Sequence, residues 1–230
     1  MATRTSSTAP AGLTTAGVVD AAIALADAHG IDAVSMRRVA QELGVDAMSL
    51  YRHVGTKHGL LEKMADAVVT QIAPPPRSGD WVADAHALMR AARSTLLAHP
   101  WTTPLIKGRA TPTPAALVHL DRLLDILRSG GLSLDLTHHA LHVLGSRVLG
   151  FSDDLFDDSA ASSPPPPEAA AMQAAMMAAL PRIAEMAAAG ATQTHDGALG
   201  GCDDQEEFDF SVELILAGLE RRRARESSDA

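Results

Sequence analysis

The chain has 230 residues, 47% of them hydrophobic and 20% charged, with a net charge of −9. That balance gives a globular chain with enough apolar surface for a sizeable core and excludes a disordered one. The single cysteine, Cys202, excludes an internal disulfide framework and suits the reducing cytoplasm.

The charge is unevenly spread. Residues 1–60 are balanced, with five Lys/Arg and five Asp/Glu, whereas residues 61–230 carry 14 against 23. Within 35–58, Arg37, Arg38, Arg52 and Lys57 face only Glu42 and Asp46. A locally basic head on an acidic body presents one face to a polyanion and keeps the rest away from it. No apolar run approaches the roughly 20 residues needed to cross a bilayer, so no membrane partner is expected.

In chain order, residues 1–12 form a Ser/Thr/Ala-rich segment read as a disordered tail, not a secretory signal. Thr14 or Thr15 caps a first helix carrying Val18, Val19, Ala22, Ile23 and Ala26, which Gly30 ends. Ser35 caps a short second helix with Val39, Ala40 and Leu43 inward, stopped at Gly44. A third helix spans about Ala47 to His53. Thr56 caps a fourth, with Leu60, Leu61, Met64, Val68 and Ile72 on one face. Pro74–Pro76, Ser78 and Gly79 then punctuate the chain. Helical periodicity resumes at 80–98, 113–129, 133–151, 168–189 and 206–224, with loops at 152–167 and 190–204 that read as mobile. The expected fold is all-α, nine or ten helices in total. A three-helix head at 13–73 precedes a larger helical bundle at 80–225.

The segment from Ser35 to Lys57 carries the functional signal. Two short helices meet at Gly44, where a residue without Cβ tolerates the left-handed backbone that reverses the chain. Val39 and Ala40 before the turn, with Val45 and Leu50 after it, form a small apolar seam. The second of these helices then offers Ala47, Met48, Ser49, Tyr51, Arg52 and His53 to a major groove about 12 Å wide. Ser35, Arg37, Thr56 and Lys57 flank it and suit phosphates, partly through helix N-termini. Ala47 and Met48 are apolar where polar readers are common, which favours thymine-methyl contact. Arg52 is a bidentate guanine reader or a further phosphate contact.

This head closely resembles the tetracycline-repressor (TetR) family of bacterial regulators. The matching residues are Val39-Ala40, Leu43-Gly44-Val45, Leu50-Tyr51-Arg52-His53-Val54, and Lys57 followed by Leu60-Leu61. The resemblance continues more weakly through Gly130-Gly131-Leu132-Ser133 and Leu149-Gly150-Phe151 to the helix at Phe208–Arg223, as in the subgroup with the tetracycline repressor's own type of C-terminal domain. It implies a transcriptional regulator, most often a repressor, sometimes an activator. It further implies a homodimer reading a palindromic operator in double-stranded DNA, with a small-molecule inducer bound in the body. By position, Arg37, Ala47, Met48 and Ser49 fall where the family contacts bases, and Tyr51, His53 and Lys57 where it holds phosphates. The helices at 133–151 and 206–224 would form the dimer seam. The tetracycline repressor itself uses a histidine before its seventh helix to help bind a magnesium chelate. Residues 104–109 here read Pro-Leu-Ile-Lys-Gly-Arg, which argues against that ligand.

The inducer is expected to be apolar and to lie between body helices, with His86, Met89, Arg90, Trp101, Arg109, His142 and Arg147 as candidate contacts. Asp135, His138 and His142 share a helical face at metal-ligand spacing, but packing or an interface explains them as well, and no metal is assigned. Met172, Met176, Met177 and Leu180 form a stripe read as core. Arg221–Arg225 complement a helix C-terminus. No Gly-rich phosphate loop, nucleophile elbow or HExxH occurs, so neither an enzyme nor a cofactor is expected. A helical enzyme or a scaffold without sequence-specific DNA binding is the alternative from another class.

Overall fold

The computed structural model describes residues 13–150, 168, 172, 175, 179–190 and 204–228. Among these there are ten α-helices and no strand. The helices are α1 (Thr15–His29), α2 (Met36–Glu42), α3 (Ala47–Val54), α4 (Lys57–Thr70), α5 (Trp81–Ala98), α6 (Thr102–Lys107), α7 (Pro114–Ser129), α8 (Leu134–Gly150), α9 (Pro181–Gly190) and α10 (Asp204–Ser228). A 3-10 turn, Ile31–Ala33, joins α1 to α2. The chain divides into two compact units, Met1–Leu127 and Arg128–Ala230.

In the first unit α1 packs on α2, α3 and α4. Val18, Ala22, Val39, Leu50, Leu60 and Met64 close the core between them. Each helix of this cluster begins with a side chain that takes up an otherwise orphaned N–H, as a short helix needs. Thr14 Oγ1 accepts from Gly17 N–H at 3.1 Å, and Ser35 Oγ from Arg38 N–H at 3.2 Å. Thr56 Oγ1 accepts from Gly59 N–H at 3.0 Å, and Asp46 from Met48 N–H at 2.7 Å. α4 also packs against α5 and α6. α6 has only six residues, too few for apolar periodicity to announce it. The corner before it is tied to α1: Trp101 Nε1–H donates to Asp27 at 2.6 Å, and His99 Nδ1 lies 2.9 Å from the same carboxylate oxygen.

The strap between α4 and α5 is held by buried Asp84. Its carboxylate accepts from the Ser78 N–H (2.7 Å) and hydroxyl (2.8 Å), from Arg77 Nε–H (3.1 Å) and from Gly79 N–H (3.3 Å). These donors, the Ser78 N–H foremost, hold the Asp84 pKa at about 2 against the ordinary 3.8, outweighing the opposite push of burial. Arg77 reaches on to Asp125 of α7 at 2.5 Å.

In the second unit α8 and α10 pack together. Arg147 of α8 donates to the Ser211 hydroxyl and, at 2.8 Å, to the Glu207 carbonyl, with its guanidinium 5.6 Å from the centre of the Phe208 ring. α10 is longer than the apolar pattern indicates, running from Asp204 to Ser228.

Two expectations need correction. The helix expected at 168–189 is interrupted: residues 168, 172, 175 and 179 are helical, Leu180 is not, and α9 starts at Pro181. Proline lacks the N–H that a helix interior needs and disfavours helical backbone in the residue before it, yet it suits a first helical position. The stripe read as core is also not buried where it is described, because Met172 and Leu180 are exposed. The side chains of Met176 and Met177, the tail 1–12, the loop 152–167, residues 191–203 of the second loop and Cys202 lie outside the described residues.

Candidate nucleic-acid interface

The α2–turn–α3 pair is built from four local decisions. Ser35 starts α2, and Gly44 adopts φ +64°, letting Val45 N–H return to the Ala40 carbonyl at 3.0 Å. Asp46 then starts α3 by accepting from Met48 N–H. Leu50, wholly buried, and Val54 seat α3 on the core.

Burial of Leu50 and Val54 fixes which side of α3 looks outward. At 3.6 residues per turn the side opposite them carries Met48 and Arg52, four residues apart and stacked along the helix. Met48 is 70% exposed and Arg52 is exposed too. Ala47 and Tyr51 form one flank, and Tyr51 is 44% exposed. Half-buried Ser49 and His53 form the other, beside a shallow cleft that Leu13 and Val45 also line. The His53 carbonyl accepts from the Thr15 hydroxyl at 3.4 Å, tying the end of α3 to the start of α1. Arg37 projects from α2 and Lys57 from the first turn of α4, both exposed. Ser35 and Thr56 use their hydroxyls as caps, so these positions present helix N-termini.

α4 approaches α3 closely through Gly59. A Cβ there would stand 2.5 Å from the Val54 carbonyl oxygen, so the corner between the two helices admits only glycine without a shift. Sequence reasoning misses this contact because nothing local distinguishes Gly59 from any helical glycine. It also misses Asp46, although an Asp directly before a short helix is a readable cap signal. The Trp101–Asp27 bond joins residues 74 apart in sequence and has no local signature.

The candidate ligand residues occupy varied settings. Met89 is buried on α5, where His86 is half-buried and Arg90 exposed. Trp101 is turned to Asp27, and Arg109 pairs with Glu62 of α4 at 2.8 Å. His142 is exposed on α8, and Arg147 is engaged with α10 as described above. A cleft of about 470 Å³ in the first unit holds none of these seven; Arg77, Asp84, Arg122 and Asp125 supply its charged lining. On α8 the His138 and His142 rings stand 4.7 Å apart, and His139 lies 3.7 Å from Asp135. Among the described residues no group of three or more His, Cys, Asp or Glu is placed to hold a metal ion.

A capped, glycine-turned helix pair whose second helix offers an exposed stripe between flanking cations is a helix-turn-helix of the DNA-binding kind. Comparison with known proteins places it more closely. Residues 18–64 match the profile described as "Bacterial regulatory proteins, tetR family", and residues 73–223 that described as "Tetracyclin repressor-like, C-terminal domain". The chain is 31% identical over 215 residues to the HTH-type transcriptional repressor DrrR1 of Streptomyces coeruleorubidus, covering 90% of this chain and 77% of that one. Its fold is similar to crystal structures of ActR from Streptomyces coelicolor, at 29% identity. The apo form gives a TM-score of 0.72 over 94% of this chain and 99% of that one. The complex with actinorhodin gives 0.69 over 91% and 96%.

The chain belongs to the tetracycline-repressor family. It is a DNA-binding, ligand-responsive transcriptional regulator and not an enzyme. No helix among the described residues is long and apolar enough to cross a membrane.

Proposed function

We propose that this chain is a cytoplasmic, homodimeric repressor that reads a palindromic operator with α3 and releases it when a small molecule binds the body. Residues 13–73 are assigned to the reading head and 80–225 to the body. The observation that carries this reading is the outward stripe of α3, Met48 and Arg52, set between exposed Arg37 and Lys57. Arg37, Ala47, Met48, Ser49 and Arg52 are assigned to base edges. Tyr51, His53, Lys57 and the helix starts at Ser35 and Thr56 are assigned to phosphates. Repression is favoured over activation because DrrR1 is a named repressor.

Dimerisation is supported by a mostly apolar groove along α8 and α10, lined by Leu136, Val143, Leu214, Ile215 and Leu219 together with His139 and Arg222. Leu214 is 55% exposed and Val143 49%. So much aliphatic surface on two adjacent helices marks an interface. Ligand control is supported by ActR, which has been crystallised with actinorhodin and with (S)-DNPA. A few kcal/mol of differential affinity between DNA-competent and ligand-bound states is enough to empty an operator.

Selection of random duplexes by the purified protein, at two salt concentrations, tests the reading. Enrichment of an inverted repeat supports it. Uniform binding across sequences, or none, overturns it.

A further inference from the structure

We propose that Met48 recognises a 5-methyl group in the major groove, so that each half-site is defined partly by one thymine methyl rather than by a hydrogen-bond pattern alone. The proposal rests on the assignment of α3 to DNA and deepens it.

Three observations lead there. First, Met48 occupies the first turn of α3, and in this architecture the N-terminal residues of the second helix meet base edges. Second, its direction is fixed. Its own N–H is bound to Asp46, while Leu50 and Val54 pin the opposite side of the helix to the core, leaving Met48 70% exposed. It is the most exposed large apolar side chain among the described residues of the head. Third, the chemistry around it is spare. A thioether has no donor and is only a weak acceptor, and Ala47 beside it has no polar atom at all. The hydroxyl of this turn belongs to half-buried Ser49 on the flank, so its outermost side chain, Met48, reads a base edge by apolar contact.

Among the groups that base pairs present in the major groove, the thymine C5-methyl is the apolar one. An unbranched, polarizable side chain adapts to it at little steric cost. Arg52, one turn further along the same stripe, supplies donors to the neighbouring step, which separates a methyl-reading position from a hydrogen-bonding one along a single helix.

Deoxyuridine tests this directly, because it keeps every hydrogen-bonding group of thymine and lacks only the methyl. Each thymine of a selected operator is replaced in turn, symmetrically in both half-sites, and affinity is measured by titration. One position is expected to lose about fourfold per half-site, the worth of one buried methyl, hence roughly sixteenfold when both are changed. Met48→Ala binds the thymine operator more weakly and shows no further loss with deoxyuridine at that position. Met48→Leu, which keeps an apolar tip, retains most of the sensitivity. In a duplex carrying cytosine at that position, 5-methylcytosine strengthens binding by the unmodified chain and leaves Met48→Ala unaffected.

Two results overturn the proposal while the regulator reading stands: every deoxyuridine duplex binds like its thymine parent, or the penalty persists undiminished in Met48→Ala. Failure to select any duplex overturns the DNA-reading assignment and this proposal with it.

Discussion

Two exposed helical faces, one in each unit, are built on opposite rules. The outward side of α3 alternates types: thioether, guanidinium and phenol, with hydroxyl and imidazole on the flank and Lys57 close by in sequence. The groove along α8 and α10 is mostly aliphatic, lined by Leu136, Val143, Leu214, Ile215 and Leu219, with His139 and Arg222 as its only polar side chains. A mixed face suits a partner that is itself polyanionic outside and patterned within a groove, and whose counterions are released on contact. A mostly aliphatic groove suits a surface that is equally apolar, and the other copy of the same groove is one. The burial pattern shows how each face is supported. α3 is a short helix kept in place by one cap and two buried residues, whereas α8 and α10 are long helices stabilised by packing on each other.

Placing charge in the aliphatic groove breaks this contrast most severely. Val143→Asp with Leu214→Asp is expected to give a folded monomer whose operator affinity falls roughly 100-fold or more, because two linked half-sites become one. Sedimentation, circular dichroism and operator titration check the three parts of that expectation. Next in size is Leu50→Ala, which removes the residue that seats α3. It should destabilise the first unit by about 2–5 kcal/mol in urea unfolding and abolish operator binding with it. Gly59→Ala presses a methyl against the Val54 carbonyl and should cost about 1–3 kcal/mol, with weaker binding because the α3–α4 corner must open. Single cation removals sharpen the comparison within the reading face. Lys57→Ala should weaken selected and random duplexes alike and lower the salt slope by about 1, whereas Arg37→Ala should narrow the gap between them. Equal losses on both duplexes for Arg37→Ala would show that it contacts only phosphates.

The smallest effects are in pH. Asp84 has its pKa depressed to about 2, so its contribution is complete above its unfolded value of 3.8 and is lost as pH falls toward 2. His119 on α7 is also depressed, by burial first and by Arg122 second, below its ordinary 6.5. The unfolded chain therefore binds that proton first, and stability should fall as pH drops through and below 6.5. Unfolding midpoints measured down to about pH 2 should show both steps, with Asp84→Asn removing the lower and His119→Asn the upper.

How far these features are legible in sequence follows the range of the interactions behind them. Ser35, Gly44, Thr56 and the Val39/Ala40/Leu50 seam are short-range signals, and the helices of the head match them to within a residue or two. In the body, helix existence is readable from apolar periodicity. The break at Pro181 goes unread because the Ala- and Met-rich stretch continues on both sides of it. The stripe Met172–Leu180 has helical spacing, yet spacing alone does not say whether a face is covered, and Met172 is exposed. At the reading site the residue types are evident, but their order of protrusion is not. That order depends on which of Leu50, Tyr51 and Val54 the core takes in. The Asp27 anchor for Trp101, the Glu62 partner of Arg109 and the Gly59 contact depend on tertiary approach that no local pattern encodes.

Guanine N7 methylation interference on a selected operator bears most directly on the claim that α3 reads the major groove from a paired head. N7 lies on the major-groove edge, so modification there blocks a helix inserted in that groove. Two patches of interference, on one face of the duplex and centred roughly 34–36 Å apart, are the expected result. A single patch, or interference confined to minor-groove adenine N3, would contradict it.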